Sequence, residues 1–166
     1  LFKVMGQDNV AVLDGGLPKW LREGRTVDSF PPLIRDRHMF VKYHDEMVKD
    51  VTQVSSASKL GDFEILDARS AGRFRGEEPE PRPGLRAGHI PGSKNIFYGD
   101  LLNEDGTLKS QDELVEHFKA KAVNLDKPVI TSCGSGVTAA IINLALDRIG
   151  KTCLLYTSDA ADDTSR

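Results

Sequence analysis

Residues 128–144 read Pro-Val-Ile-Thr-Ser-Cys-Gly-Ser-Gly-Val-Thr-Ala-Ala-Ile-Ile-Asn-Leu, and this stretch decides the fold class. Pro128 to Ser132 is a short β-branched run, the pattern of a strand covered on both faces. Val137, Ala140, Ile141 and Leu144 then recur at helical spacing and predict a helix with those residues on its inner face, stopping near Gly150. A strand that passes into a helix through a short glycine-containing loop is the building unit of a parallel α/β sheet. Cys133 opens that loop.

Working outward, the same alternation continues. Ser110-Gln-Asp-Glu113 is a capping box, with Ser at the N-cap and Glu three residues on, and Leu114 and Phe118 follow on one helical face. Phe63 to Leu66 predicts a strand ending at Asp67, and Asn95 to Phe97 a second, short one. About thirty residues rich in Gly, Pro, Arg and Glu lie between them. Met47, Val48, Val51 and Val54 predict a further helical face. The expected architecture is an α/β sandwich with a mainly parallel central sheet flanked by helices. Near the start, Val10 to Leu13 predicts a buried strand closed by Asp14-Gly15-Gly16, and Leu17, Trp20 and Leu21 predict a short helix. Residues 25–36, with Pro31-Pro32, suit a linker, so the expected division is 1–24, linker 25–36 and a main domain over 37–156. Residues 157–166 are polar and aperiodic and are expected to be a foreign or disordered tail.

Composition narrows the function. The chain has 166 residues, 39% hydrophobic and 28% charged, enough for one domain around one core. Its 22 basic and 25 acidic residues are mixed along the chain and give no support for a nucleic-acid or membrane-surface partner. Two cysteines are too few for a disulfide framework, and no apolar run approaches the ~20 residues of a membrane span. A reducing, soluble compartment follows as the expectation. The first residues carry neither an initiator Met nor a signal-peptide pattern, so the true N-terminus and any targeting signal are expected to lie outside the sequence.

The loop Cys133-Gly134-Ser135-Gly136-Val137-Thr138 has the makings of an anion cradle. Its glycines allow backbone amides to turn inward, and the following helix directs roughly half a positive elementary charge into the same space. A thiol there ionises more readily than a free one near ~8.5 and becomes a nucleophile. The bland alternative is that Cys133 is only a small buried hydrophobe. A phosphate-binding Walker loop is disfavoured because residues 133–138 hold no lysine, a cysteine phosphatase because position 139 is alanine rather than arginine, and zinc because Cys133 has no ligand partner at useful spacing. No cofactor or metal is expected. His89 fits a turn better than a general base, and His38, His44 and His117 read as surface residues.

These residues resemble the rhodanese family, and within it the 3-mercaptopyruvate sulfurtransferase type. Cys133 to Thr138 is similar to the six-residue active-site loop of that type and departs from the Cys-Arg-Lys-Gly loop of thiosulfate-preferring members. Gly88-His89-Ile90-Pro91-Gly92 and Asp67-Ala68-Arg69-Ser70 resemble other signatures of the family. Arg73-Phe74-Arg75-Gly76 and Glu78-Pro79-Glu80-Pro81-Arg82 look like the segment that supplies substrate-binding arginines. The resemblance spans about residues 37–153, and residues 1–24 look like the end of a preceding, noncatalytic domain.

The resemblance implies that Cys133 accepts sulfur as a persulfide and that Ser135 assists proton transfer. It implies that Arg73 and Arg82 clamp the carboxylate and keto group of the donor, while the amides of Gly134, Gly136, Val137 and Thr138 hold the outer sulfur. Without it, the arginines read as a solvated loop neutralised by Glu77, Glu78 and Glu80. The implied partners are a small-molecule sulfur donor, 3-mercaptopyruvate or thiosulfate, and a thiol acceptor such as thioredoxin, or cyanide; the implied location is cytoplasmic or mitochondrial. A binding or regulatory module without turnover is the alternative. After Cys153 the family's closing strand and turn look replaced, so that strand is expected to be missing.

Overall fold

A computed structural model describes residues 1–33, 35–36, 38–81 and 84–156. Five strands form one parallel sheet: β1 (Val48–Lys49), β2 (Glu64–Asp67), β3 (Lys94–Asn95), β4 (Val129–Ser132) and β5 (Cys153–Tyr156). They are ordered β1-β5-β4-β2-β3, with every neighbouring pair parallel. The helices are α1 (Gly16–Arg22), α2 (Val51–Leu60), α3 (Ala71–Arg75), α4 (Gln111–Ala120) and α5 (Ala139–Arg148), with single 3-10 turns at Asp45–Met47 and Tyr98–Leu101.

Side-chain alternation along the strands sorts the core into two layers. Leu66, Val129, Cys153 and Leu155 face a cluster with Leu114 and Phe118 of α4 and Ala139, Ile142, Ala145 and Leu146 of α5. Ile65, Ile130, Leu154 and Tyr156 face the opposite layer, with Val54 and Ala57 of α2. All residues of β2 and β4 are buried, as central strands covered on both faces must be. Capping boxes fix the starts of two helices. Ser110 and Glu113 close α4 as the sequence predicts, and Asp50 and Gln53 close α2.

Several expectations are corrected. The helical face expected from Met47 to Val54 begins only at Val51, because the Asp50 cap starts the helix there and Val48 pairs in β1 with Leu155. The inner face of α5 is Ala139, Ile142, Ala145 and Leu146, whereas Val137 is exposed in the loop and Ala140 is exposed on the helix. That helix is apolar around most of its girth, so periodicity alone cannot choose its inner stripe. The closing strand expected to be missing is present as β5, where Cys153 to Tyr156 add to both β4 and β1. Val10 to Leu13 forms no strand. The segment pairs with neither edge strand of the sheet, β1 or β3, and Val10, Val12 and Leu13 are 39, 66 and 59% exposed, although α1 forms as predicted. Asp14 ties this segment down by accepting from the Leu108 amide at 2.8 Å and pairing with Arg148 at 3.4 Å. The tail 157–166 lies outside the described residues.

Candidate active site

The carboxyl ends of β2 and β4, neighbours in the sheet, bring two loops together. Cys133 follows β4 directly and is 6% exposed. Its Sγ accepts from the Gly136 amide at 3.0 Å, a contact made possible by the left-handed turn at Gly136, where φ is 79°. Burial alone pushes the Cys133 thiol up. The Thr138 hydroxyl and the amides of Ala139, Ser135 and Thr138 all donate to it and bring it below the ordinary thiol value. Of the amides expected to line the loop, that of Gly136 donates to the Cys133 sulfur and that of Thr138 is among the groups that lower its pKa. Those of Ser135 and Ala139, and the Thr138 hydroxyl, join them. The chain turns helical only at Ala139, and the first amide of α5, that of Ala139, acts on the sulfur. Ser135 and Val137 lie exposed at the rim of the loop, and Gly134 is half-buried.

The second loop begins at Asp67, the last residue of β2, which is 2% exposed. Asp67 accepts from Arg69 Nε at 3.0 Å and Nη2 at 2.6 Å. Arg69 also donates Nη2 to the Gly88 carbonyl at 2.7 Å and Nη1 to Glu80 at 2.7 Å. Paired with Asp67, its pKa is raised further. Glu80 turns its second oxygen to Arg73 Nη2 at 2.5 Å, with Arg73 Nε at 3.4 Å from the first. Burial pushes the Glu80 carboxyl up, and the hydrogen bond from Arg73 and the charge of Arg69 bring it below the ordinary carboxylate range.

Arg73 sits on α3, opened by the Ser70 cap, and its guanidinium reaches the cysteine loop. A Cβ placed on Gly134 would lie 3.1 Å from Arg73 Nη2, so this approach requires glycine at 134 or a shift of the arginine. Cys133 and Arg73 are thus brought to one place, while Arg82 lies outside the described residues. The neutralised-loop reading holds in part: Glu80 pairs with Arg73 and Glu77 with Arg75, whereas Glu78 accepts from Ser70. His89 shapes the turn, stacked on Phe74 at 3.9 Å between ring centroids with Nδ1 2.7 Å from the Phe74 carbonyl oxygen. His117 is no free surface residue. Its Nε2 is buried without a partner among the described residues, and burial lowers its pKa.

The part played by the Thr138 hydroxyl is not evident from the sequence, where the glycines of that loop point to its backbone. The link from Asp67 through Arg69 and Glu80 to Arg73 left only a charge-rich stretch as its signal. Among the described residues, no helix is long and apolar enough to cross a membrane.

Known proteins resemble the chain in sequence and fold. The model of the rhodanese-like domain matches residues 50–159. The chain is 42% identical over 146 residues to the 3-mercaptopyruvate sulfurtransferase of Escherichia coli strain K12, covering 88% of this chain and 52% of that protein. It is 37% identical to the human 3-mercaptopyruvate sulfurtransferase (91% of this chain, 51% of that one) and 40% identical to the bovine thiosulfate sulfurtransferase (91% and 51%). The crystal structure of SseA from Escherichia coli, a 3-mercaptopyruvate sulfotransferase, superposes with a TM-score of 0.82 at 38% identity, covering 93% of this chain and 57% of that one. The chain spans about half the length of the curated relatives it matches. A five-stranded parallel sheet with a cysteine loop at its carboxyl edge, matched over most of its length by these relatives, makes the chain a member of the rhodanese-like domain family.

Proposed function

We propose that the chain carries the catalytic domain of a sulfurtransferase, over residues 37–156, and that residues 1–24 are the end of a preceding noncatalytic domain. The observation that carries the reading is the Cys133 sulfur, ringed by amide and hydroxyl donors that favour its anion, with the Arg73 guanidinium beside the same loop. The Cys133 thiolate attacks the thiol sulfur of 3-mercaptopyruvate. A sulfur–sulfur bond forms as the carbon–sulfur bond breaks, and the electron pair leaves on the enolate of pyruvate, which takes up a proton with help from Ser135. Arg73, joined by Arg82, binds the donor's carboxylate and keto group through the planar fork that suits them. The amides of Gly134, Gly136, Val137 and Thr138 hold the outer sulfur of the persulfide. A thiol such as that of reduced thioredoxin, or cyanide, then removes it, in the cytoplasm or the mitochondrion. Thiosulfate is the second candidate donor, supported by the similarity to the bovine thiosulfate sulfurtransferase.

Intact mass spectrometry after incubation with each donor tests this. The expected result is a gain of one sulfur atom on Cys133, faster with 3-mercaptopyruvate and reversed by a thiol. A protein that binds but never gains sulfur would instead be a module without turnover.

A further inference from the structure

Every donor on the Arg69 guanidinium edge facing Asp67 and on the end facing Glu80 and Gly88 is engaged, so this arginine is a fixed strut rather than a ligand-binding group. Arg73 is held differently. Glu80 takes its Nε and Nη2, the side edge of the guanidinium, which leaves the Nη1 end of the fork free of Glu80. The Glu80 side chain is only 5% exposed, and its two oxygens are divided between the two arginines. The connection therefore runs without a gap from the end of β2 through Asp67, Arg69 and Glu80 to Arg73, whose Nη2 meets the Cys133 loop at Gly134.

We infer that Glu80 is a positioning residue: by gripping the side edge of Arg73 it aims the remaining end of that fork at the space over Cys133, where the carboxylate of an anionic donor docks. The inference rests on the proposed role of Arg73. It adds that the aim of Arg73 is set by the sheet itself, through two buried acidic residues, and not by the donor. The four side chains of Asp67, Arg69, Glu80 and Arg73 carry two charges of each sign. The strut is thus neutral before the donor arrives, and specificity comes from direction rather than from a loose positive field.

The test separates charge from direction in the 166-residue chain. Glu80→Asp keeps the charge and shortens the reach by one methylene, whereas Glu80→Gln keeps the length and removes the charge. Two alkylating probes of Cys133 read the site independently of sulfur transfer: iodoacetate carries a carboxylate, and iodoacetamide is its neutral counterpart. In Glu80→Asp the preference for iodoacetate over iodoacetamide should fall roughly tenfold, toward that of Arg73→Ala, because a misdirection of about an ångström can cost up to a hundredfold. The iodoacetamide rate, which reads the thiolate alone, should change by less than about twofold. With 3-mercaptopyruvate, the same variant should raise KM more than it lowers kcat.

Placing Glu80→Asp in the Arg73→Ala background should add almost nothing, since both changes break one connection. A purely structural role for Glu80 would instead slow both probes equally and persist in that background, and either result overturns the inference. Should Glu80→Asp fold poorly, Glu80→Ala with the same pair of probes and the same double variant removes the grip on Arg73 and separates the two roles, while Glu80→Gln shows what loss of charge alone does. Absence of sulfur uptake by the unaltered chain would count against the proposed function, while the alkylation ratios would still decide the role of Glu80.

Discussion

Cys133 and Cys153 lie on neighbouring parallel strands, yet at opposite ends of the sheet. Cys133 follows the last residue of β4, and Cys153 is the first residue of β5, paired with Val129 at the start of β4. At ~3.3 Å per residue, roughly 13 Å of strand separates the two positions along the sheet. Burial pushes both thiols up. At the carboxyl end, amides and a hydroxyl more than offset that burial. At the amino end the Cys153 sulfur lies 3.8 Å from the Asn143 carbonyl oxygen, and burial, with Asp147 nearby, pushes the thiol up to about 12. The difference teaches that burial does not decide the chemistry of a cysteine in this sheet. What decides it is whether amide and hydroxyl donors surround the sulfur, as they do where β4 passes into α5; without them, burial and the nearby Asp147 carboxylate keep the Cys153 thiol protonated.

The comparison breaks most completely at the nucleophile. Cys133→Ser should abolish sulfur uptake, whereas Cys153→Ser should leave it nearly intact, both read by intact mass. Equal loss in the two variants would remove the distinction.

A titration sharpens it next. At neutral pH, iodoacetamide should modify Cys133 faster than Cys153 by roughly a thousandfold, since the thiolate reacts and Cys153 ionises only near pH 12. The consequences for stability have opposite signs. The folded state of Cys133 has a lowered pKa, so its contribution is present above the ordinary thiol value of ~8.5 and is lost as pH falls through the folded value. Cys153 has a raised pKa, so its contribution is full below ~8.5 and is lost as pH rises toward about 12. Melting temperatures measured across that alkaline window should therefore shift in favour of Cys153→Ser relative to the parent chain.

The smallest expected effect comes from one hydroxyl. Thr138→Val keeps the shape of the side chain but removes a donor to the Cys133 sulfur, and a hydrogen bond to a charged group is worth about 1.5–3 kcal/mol before water or neighbours compensate. Alkylation of Cys133 at neutral pH should slow by roughly tenfold, with no change at pH well above the thiol pKa, where every sulfur is ionised. A uniform slowing at all pH values would mean that Thr138 shapes the loop instead of stabilising its charge.

Local rules were legible wherever the chain's own neighbours settle the structure. The Ser110 and Glu113 cap, the strand leading into Cys133 and the turn at His89 are all written within a few residues. Choices that depend on a distant partner were not. The tetrad Val10 to Leu13 has the composition of a strand but pairs with neither open edge of the sheet, whereas Cys153 to Tyr156, where the closing strand is expected to be missing, pairs on both sides. The inner face of α5 likewise depends on what packs against it, since both of its stripes are apolar. In the site, Cys133 announced itself through glycines on either side of Ser135. Glu80 did not, because a glutamate between two prolines looks solvated until the fold buries it beside Arg69 and Arg73.

The sheet order also dictates when the molecule can assemble. The strand β5 is made last of the five, yet it sits between β1 and β4, and among the described residues β1 has no other neighbour. A chain emerging from the ribosome can therefore pair β2 with β4 and lay α5 against them, but it must hold β1 and an open edge of β4 in waiting until residues 153–156 appear. Pairing of this kind links residues about a hundred positions apart, as Val48 with Leu155, and such non-local contacts slow folding and prolong the exposure of strand edges. Until β5 arrives, the edges of β1 and β4 stay unpaired, and an unpaired edge is where a strand of another chain can add.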